Sequence, residues 1–256
     1  MKPLLEVKNM TVDFQGYPAV KSVSFCVYPD EKLGIIGESG SGKSTVARAV
    51  MRLVDTASGR IFLDGRDITF TGGRKRREIY RSMQMVFQSP ADSFDPRRTL
   101  GDGIGESLRN SGMSRAGTRK RVKELLVQCG LPEVYAGRYP HEVSGGQCQR
   151  AAIARALAIG PELLICDEAT SSLDVTVQKQ IMELLRSLGI RYGMSYLFIS
   201  HDLALVQNFC DRVIIMHEGK IVEEGITDEV ILNPQNDYTK RLVEAVLQTS
   251  CFCHDP

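Results

Sequence analysis

Apolar and polar residues follow three patterns along this chain. Two early segments, "LLEVKNMTVDF" and "AVKSVSFCVYP", alternate with a period of two and predict half-buried strands. The segments "KLGIIG", "ELLICDE" and "SYLFISHD" contain continuous apolar runs, which are typical of the covered central strands of a parallel sheet. Helical periodicity marks "KSTVARAVMRLV" and "QCQRAAIARALAI". Together these patterns predict an α/β fold.

The predicted secondary structure becomes mainly helical in the middle of the chain. Helical segments dominate from Ser89 to about Pro140, and Gly130 is the stop signal of one of them. Residues 80–88, just before this stretch, predict a strand that ends at Gln88. Towards the C-terminus, "RVIIMHEGKIVEEG" predicts a hairpin around Glu218-Gly219, and "TDEVILN" and "DYTKRLVEAVLQ" predict two terminal helices.

Length and charge narrow the class of protein. The chain has 256 residues, 43% of them hydrophobic and 25% charged, which suits one large domain or one domain with an inserted subdomain. The net charge is +1, so no overall charge excess favours nucleic acid or an anionic membrane. The basic run "GGRKRREIYR" is interpreted as a solvated surface, because it is short and offers only Tyr80 for stacking.

Targeting signals and cysteines indicate the compartment. No apolar run approaches the roughly 18 residues of a membrane helix, and the N-terminus lacks the features of a secretory signal. Five of the seven cysteines stand singly, mostly among apolar neighbours, as expected for free thiols in a reducing compartment. The terminal "CFCHDP" groups Cys251, Cys253 and His254, which we interpret as a frayed tail, with a soft-metal site as the alternative.

The stretch "GESGSGKST" carries the clearest chemical signal. It fits the pattern G-x-x-x-x-G-K-[ST], with Gly37, Gly42, Lys43 and Ser44 at the required places between a predicted strand and a predicted helix. Glycines let backbone N–H groups point at phosphate oxygens, and the positive end of the helix faces the same oxygens. Lys43 is suited to neutralise the β- and γ-phosphates, and the Ser44 hydroxyl is suited to bind Mg²⁺.

Polar residues follow three of the predicted strands. Asp167 and Glu168 end "LLICDE", His201 follows "SYLFIS", and Gln88 ends the run of residues 80–88. Such strand ends are where open α/β sheets bind their ligands. We assign Asp167 to Mg²⁺ and Glu168 to general-base catalysis or to positioning of the attacking water. His201 is assigned to the γ-phosphate or that water, and Gln88 to Mg²⁺ or that water.

A second glycine-rich turn, in "HEVSGGQCQR", also leads into a helix. Ser144 is placed to cap a helix that begins near Gly145, which gives a second helix N-terminus suited to an anion. Spacing alone does not identify that anion.

In their order, these motifs resemble the nucleotide-binding subunits of ABC transporters, and the resemblance covers nearly the whole chain. The motifs are the phosphate loop, Gln88, "VSGGQ", "LLICDE", "SSLD" and His201. The resemblance implies that Phe14, or alternatively Tyr17, stacks on adenine. It also implies ATP contacts along the whole phosphate loop, which comprises Gly37, Glu38, Ser39, Gly40, Ser41, Gly42, Lys43, Ser44 and Thr45.

The fold implied by the resemblance is α/β: a P-loop NTPase ABC cassette with a RecA-like core, an N-terminal antiparallel β subdomain and an inserted helical subdomain. The whole chain, residues 1–256, is then a single ABC ATPase domain. The predicted parts are 1–31 and 59–70 for the β subdomain, 32–58, 79–88 and 160–232 for the core, 89–159 for the helical subdomain with the signature loop, and 233–256 for the C-terminal helix and tail.

The resemblance also implies an assembly that uses ATP and Mg²⁺. Two cassettes stack head to tail, and the signature loop of each one, Ser144, Gly145, Gly146 and Gln147, covers the γ-phosphate held by the other. Asp174 belongs to the D-loop. The implied partners are a second ATPase subunit, identical or homologous, membrane permease subunits and, indirectly, a solute-binding protein, with no nucleic acid. We predict a peripheral position on the cytoplasmic face of the membrane, with the segment from about Ser89 to Arg115 docked on a permease.

Finer features resemble the oligopeptide, dipeptide and nickel importer branch, namely "RYPHEVSGGQ", "VFQSPADSFDPR" and "NPQNDYTKRLVEAV". The sequence departs from the branch pattern where Val143 replaces Leu, where Cys148 replaces a long polar residue, and where Asn236-Asp237 replaces His-Pro. None of these positions contacts phosphate. The short C-terminal tail favours the nickel or metal-chelate importers of this branch. We expect an ATP-hydrolysing subunit that powers import of a peptide or a nickel or metal chelate.

Two other classes of ATP-dependent protein are alternatives to an importer subunit. A soluble ABC ATPase acting on ribosomes or DNA would carry two cassettes, long coiled coils or zinc modules, and 256 residues leave no room for them. A P-loop kinase of small molecules would not need the "SGGQ" loop and the other ordered motifs. Genes for two permeases and a binding protein beside this one would decide between these classes.

Overall fold

The structure, a computed structural model, describes the backbone of residues 1–251, together with all side chains in that range except those of residues 74, 75, 92 and 246–251. The tail cluster proposed as a frayed end or a metal site, Cys251, Cys253 and His254, therefore lies outside the described side chains. The chain divides into two compact units, the first formed by residues 1–76 with the chain from Ser195 onward, and the second by residues 77–194.

The first unit contains an antiparallel sheet built by the N-terminal part of the chain. Its strands are β1 (Leu5–Phe14), β2 (Tyr17–Val27), β4 (Ser58–Leu63) and β5 (Arg66–Asp67). They lie in the order β2-β1-β4-β5, with β1 antiparallel to both of its neighbours. Along β1 the buried side chains are the alternate pair Leu5 and Val7 and, after an irregularity in the strand pairing, the alternate pair Met10 and Val12, so the sequence alternation did mark a sheet with one covered face.

The same unit contains a group of mainly parallel strands. These strands are β3 (Lys32–Ile36), β8 (Ser195–Ile199), β9 (Arg212–His217) and β10 (Lys220–Ile226). They are neighbours in the order β10-β9-β3-β8, and β3 is parallel to both β8 and β9. The predicted hairpin is confirmed, because β9 and β10 pair across Glu218 and Gly219, whose φ values of 47° and 80° suit a tight two-residue turn.

Helices complete the first unit. They are α1 (Lys43–Val50), α8 (Leu203–Phe209), α9 (Thr227–Leu232) and α10 (Asp237–Cys251), and α2 (Gly73–Ser82) includes the boundary between the units. The two predicted terminal helices are thus confirmed. Helix α1 ends four residues earlier than the pattern to Val54 predicts. Arg52 adopts φ 57°, and Leu53 donates its N–H to the Arg48 carbonyl, which closes the helix as a Schellman motif.

The second unit is mostly helical. Its elements are β6 (Met83–Val86), α3 (Leu100–Ile104), α4 (Glu106–Asn110), α5 (Arg115–Gln128), α6 (Gly145–Leu157), β7 (Leu163–Asp167) and α7 (Val175–Tyr192), with short 3-10 turns at Ala91–Ser93, Glu133–Gly137 and Pro140–Glu142. Strands β6 and β7 are parallel. The predicted stop at Gly130 is confirmed, because α5 ends at Gln128 and Gly130 adopts φ 75°.

The strand predicted for residues 80–88 is wrong at both ends. Helix α2 continues to Ser82, and β6 covers only Met83–Val86, so Gln88 lies beyond the strand and not in it. Ile79 and Met83 are both buried and stand four residues apart, a spacing that also fits one face of a helix. A short apolar run of this kind does not distinguish helix from strand. The subdomain boundaries stated above remain predictions.

Candidate nucleotide-binding site

The phosphate loop, residues 37–45, connects β3 to α1 in the first unit. Gly40 and Gly42 adopt φ values of 81° and 102°, a region that favours glycine. Gly37 has no room for a side chain, because a Cβ there would lie 2.2 Å from the Met216 carbonyl oxygen. A Cβ on Gly42 would lie 2.6 Å from the carbonyl oxygen of Ala19. The glycines are therefore fixed both by the turn and by the backbone that packs against it.

Lys43, the first residue of α1, folds back over this loop. Its side chain is buried, with 4% of the residue exposed. The ammonium group donates hydrogen bonds of 2.8 Å to the carbonyl oxygens of both Gly37 and Glu38. The backbone N–H of Gly219 donates to the Ser41 carbonyl at 3.1 Å, so the β9–β10 turn supports the loop from one side. The loop thus places one cation at a helix N-terminus, an arrangement suited to phosphate.

The two aromatic candidates for adenine stacking flank a tight turn in the first unit. Phe14 ends β1 and Tyr17 begins β2, and the two residues pair across the turn. Phe14 is 48% exposed and Tyr17 is 75% exposed, so either ring offers a free face. The choice between them stays open.

His201 also lies in the first unit, at the carboxyl end of β8. His201 is exposed. The next residue, Asp202, caps α8, because its side chain accepts the Leu205 N–H at 3.1 Å. The strand-end position predicted from the sequence is therefore observed.

The two carboxylates predicted for metal binding and catalysis lie in the second unit. Asp167 is the last residue of β7 and only 4% exposed, and Glu168 follows it with φ 48°, which turns the chain sharply at the strand end. The Gln88 amide donates to a Glu168 carboxylate oxygen at 3.0 Å and to the Ser171 hydroxyl at 3.4 Å. The structure thus joins two predicted residues, Gln88 and Glu168, that are 80 positions apart in the chain.

Ser171 was not among the predicted site residues. Its hydroxyl accepts from Gln88 and donates to the Glu168 carbonyl oxygen at 3.0 Å, so it supports both ends of the Gln88–Glu168 pair. The available signal was its place at the start of "SSLD". Asp174, the predicted D-loop residue, caps α7 by accepting the Val177 N–H at 3.0 Å.

The signature turn begins α6, also in the second unit. Ser144 accepts the Gln147 N–H at 3.3 Å, and the Gln147 side chain accepts the Ser144 N–H at 2.9 Å, so the predicted cap is confirmed and is a reciprocal capping box. A Cβ on Gly146 would lie 2.5 Å from Val177. Close packing against α7 therefore requires the second glycine, whereas Gly145 has ordinary space beside Leu173.

The residues predicted to bind Mg²⁺, Ser44, Gln88 and Asp167, supply a hydroxyl, an amide oxygen and a carboxylate. Oxygen donors with a single carboxylate suit Mg²⁺ that is shared with a nucleotide. The buried position of Asp167 at a strand end agrees with that use. By chemical type, each of the three predicted donors suits the metal.

Three of the buried cysteines lie in environments that disfavour the reactive thiolate. Burial raises the pKa of Cys129 to about 12 and that of Cys148 to about 11. Burial, with a further contribution from the charge of Asp167, raises the pKa of Cys166 to about 12. These cysteines are therefore structural. Among the described residues, no helix combines the length and apolar character needed to cross a bilayer.

Comparison with known proteins identifies the class. The family model for the ABC transporter matches residues 20–171. Two solved structures of ABC cassettes have the same fold. The cbiO1 protein of Clostridium perfringens, part of an ABC transporter complex, has a TM-score of 0.81 at 28% identity over 97% of each chain. MJ0796, solved as a dimer bound to ADP and Pi, has a TM-score of 0.80 at 30% identity over 87% of this chain and 98% of that one. The chain belongs to the ABC transporter family, and its cassette is an ATPase.

Two curated relatives narrow the position within the family. The oligopeptide transport ATP-binding protein OppF of Salmonella typhimurium is 44% identical over 96% of this chain and 78% of its own length. The glutathione import ATP-binding protein GsiA of Salmonella choleraesuis is 44% identical over all of this chain but only 43% of its own length. The predicted resemblance to the peptide importer branch is confirmed by these relatives.

Proposed function

We propose that this chain binds and hydrolyses ATP to power import of a small solute, of the oligopeptide class, through a membrane permease. The observation that carries the proposal is the phosphate loop, in which a buried Lys43 bonds to two loop carbonyls at the start of α1. The likeness to OppF and GsiA supports the solute class, since both are named for peptide-like cargo. A nickel or metal chelate is the alternative cargo.

Binding is assigned to the first unit. The phosphate loop, residues 37–45, and the N-terminus of α1 face the phosphates, and Lys43 exchanges its loop carbonyls for the β- and γ-phosphate oxygens. Phe14, or Tyr17, stacks on the adenine. Mg²⁺, held by Ser44, Asp167 and Gln88, would neutralise charge on the phosphates.

Hydrolysis is assigned to Glu168 as the general base, with its orientation held by Gln88. The Gln88 amide holds the Glu168 carboxylate through a 3.0 Å hydrogen bond, and that carboxylate is assigned to accept a proton from the attacking water. His201 is assigned to the γ-phosphate or the attacking water.

The signature turn is assigned to the ATP of a second ATPase subunit, identical or homologous to this one. The capping box presents the N-terminus of α6 as an ordered anion site, and the related cassette MJ0796 was solved as a dimer. Residues 144–147 would then cover a γ-phosphate in trans. Asp174, in the D-loop, is placed by this assignment at the interface of the two subunits.

A permease is assigned to the segment from Ser89 to Arg115, which follows Gln88. Arg155 of α6 ties the start of this segment to the signature helix, because its guanidinium donates to the Ser93 carbonyl and lies 5.9 Å from the centroid of the Phe94 ring. Since α6 begins at the signature turn, movement of the docked segment is passed to that turn through one helix. With the permease docked there, we assign the chain a peripheral position on the cytoplasmic face of a membrane, with a solute-binding protein as an indirect partner. The runner-up functions, a ribosome- or DNA-directed ATPase and a small-molecule kinase, find no support in the named relatives.

The test is the substitution Lys43→Ala, with Lys120→Ala, an exposed lysine on α5, as the matched control. Removing charged hydrogen bonds to two phosphates should weaken ATP binding by about 100-fold or more and abolish turnover in the assembled transporter. Binding would be measured by equilibrium dialysis. Near-normal binding and turnover in the Lys43 variant would contradict the assigned site, whereas the Lys120 variant should match the wild type.

A further inference from the structure

The C-terminal helix reaches the phosphate loop through one side chain. The backbone N–H of Glu38 donates a hydrogen bond of 3.1 Å to the phenol oxygen of Tyr238, across 200 positions of sequence. Tyr238 lies in the first turn of α10 and is only 6% exposed. Tyr238 belongs to the tail segment "NPQNDYTKRLVEAV", which the proposed function leaves without a role.

The peptide that Tyr238 contacts is the one that holds Lys43. The Glu38 N–H shares its peptide group with the Gly37 carbonyl, which accepts from the Lys43 ammonium at 2.8 Å. The Glu38 carbonyl, in the next peptide group, also accepts from Lys43 at 2.8 Å and from the Ser41 N–H at 3.2 Å. Glu38 therefore has its N–H fixed by the C-terminal helix and its carbonyl fixed by the loop's own cation. An unbonded Glu38 N–H would free this peptide to rotate, and the lysine and the loop would shift with it.

Tyr238 is itself held rigidly. Its ring stacks on His217, with centroids 4.0 Å apart and planes 26° apart. His217 ends β9 directly after Met216, whose carbonyl closes over Gly37. The ring that bonds to the loop therefore packs on the same strand end that confines the loop's first glycine.

The chain before Tyr238 is anchored to β10. Glu223 accepts backbone N–H groups from Gln235 at 2.8 Å and from Asn236 at 3.1 Å. Burial acts to raise the pKa of Glu223, but these hydrogen bonds, together with the nearby Thr239 hydroxyl and the charge of Lys240, outweigh it, and the pKa lies below its usual value. Asn236 in turn accepts the Tyr238 N–H at 2.9 Å. Asn236, one of the departures from the branch pattern, thus orients the tyrosine.

We propose that Tyr238 is a positioning residue for nucleotide binding, which fixes the first turn of the phosphate loop and makes the C-terminal helix part of the ATP site. The inference rests on the proposed function of the loop. The Glu38 N–H stands at the start of the loop, before the glycine at position 40 and the residues of α1 that face the phosphates. This N–H donates to a protein side chain, so the hydrogen bond orders the loop before nucleotide arrives. An ordered loop loses less conformational entropy when ATP binds.

The test uses Tyr238→Phe in the full chain, which removes the phenol oxygen and keeps the ring on His217. A single hydrogen bond of this kind corresponds to about a 3- to 10-fold loss of ATP affinity, measured by equilibrium dialysis well below the unfolding temperature. Tyr28→Phe is the matched control, because Tyr28 precedes β3 at the end opposite the loop. It should leave the affinity unchanged.

A second measurement needs no substitution. In the wild-type protein without nucleotide, the Glu38 amide should exchange with deuterium slowly, and in Tyr238→Phe it should exchange faster. Fast exchange of the Glu38 amide in the wild type would overturn the inference. Unchanged ATP affinity in Tyr238→Phe would also overturn it, even if the unfolding temperature fell, because the tyrosine would then be purely structural.

Lys43→Ala, assayed in parallel, separates the role of Tyr238 from the proposed phosphate site. If Lys43→Ala abolishes binding while Tyr238→Phe has no effect, only the role of Tyr238 is wrong. Normal binding by Lys43→Ala would instead contradict the phosphate site itself.

Discussion

Replacing Glu168 with glutamine changes one atom at the assigned catalytic base. The new side chain has the same length and tolerates the same backbone φ of 48°. Its amide oxygen is able to accept the hydrogen bond that the Gln88 amide now donates to the carboxylate at 3.0 Å. The variant should therefore fold and bind ATP. What it loses is the ability to take a proton from water.

The expected magnitudes for folding and catalysis differ strongly. A charged acceptor becomes a neutral one, which costs about 1 kcal/mol of stability at most, and the partial exposure of Glu168 reduces that cost further. Removal of a general base lowers the rate of hydrolysis by about 10²- to 10⁴-fold, equivalent to about 2.7–5.5 kcal/mol of barrier. Loss of turnover with little loss of stability is therefore the predicted signature.

The assay is single-turnover hydrolysis of ATP by the assembled transporter, together with the nucleotide retained after gel filtration. Glu168→Gln should retain ATP in a closed dimer and release almost no phosphate. Glu162→Gln, an exposed carboxylate just before β7, is the matched control and should behave as the wild type. Rapid phosphate release by Glu168→Gln would remove this residue from the catalytic role, and failure to retain ATP would show that it acts in binding instead.

Two further predictions concern docking and the buried thiols. Single cysteines placed in the segment from Ser89 to Arg115, for example at exposed Arg97, should crosslink to a permease, and crosslinks only from α10, for example at Glu244, would contradict the docking assignment. At pH 8 the thiols of Cys129, Cys148 and Cys166 should resist alkylation in the folded protein, because their pKa values of about 12, about 11 and about 12 keep them protonated. Mass spectrometry of peptides alkylated before and after unfolding would check this, and fast labelling of the folded protein would show that these sites are open.

Much of the fold was accessible from the sequence because the signals were local. The phosphate loop combines a fixed glycine pattern with a strand before it and a helix after it, so three independent features agree. The buried run ending at Asp167 and the turn at Glu218-Gly219 are likewise readable from a few adjacent residues. In each of these places the structure agrees with the pattern.

The errors arose where local patterns compete. Residues 80–88 contain buried positions that fit either a helix or a strand, and packing in the folded protein extends α2 to Ser82. Helix α1 ends at Val50 because Arg52 takes a left-handed conformation that sequence normally reserves for glycine. Neither choice has a signal in the neighbouring residues.

Contacts between distant segments could not be predicted at all. No spacing rule connects Gln88 to Glu168, or Glu38 to Tyr238, because both pairs meet only after the strands have assembled. The same applies to the support that Gly219 gives to Ser41. The candidate catalytic side chains were thus available from motifs, whereas the residues that contact and orient them came from the structure.

The central claim about mechanism is that each ATP site is built by two ATPase chains. The test combines two substitutions, Lys43→Ala and Ser144→Arg, in dimers whose two chains carry different affinity tags. In one arrangement each chain carries one substitution, and in the other one chain carries both. All chains also carry Glu168→Gln, which stops hydrolysis. Where the natural partner is a different subunit, the arginine is placed at its matching serine in the first arrangement. Occluded ATP is then counted per dimer.

With one substitution on each chain, the claim of shared sites predicts that both defects fall in the same site and that the other site is intact. About one ATP per dimer should then be occluded. With both substitutions on one chain and none on its partner, each shared site carries one defect and none should be occluded. If every chain served its own ATP, the two arrangements would give the opposite results, no ATP in the first and about one in the second. That reversal, in dimers shown to form, would contradict the claim of shared sites.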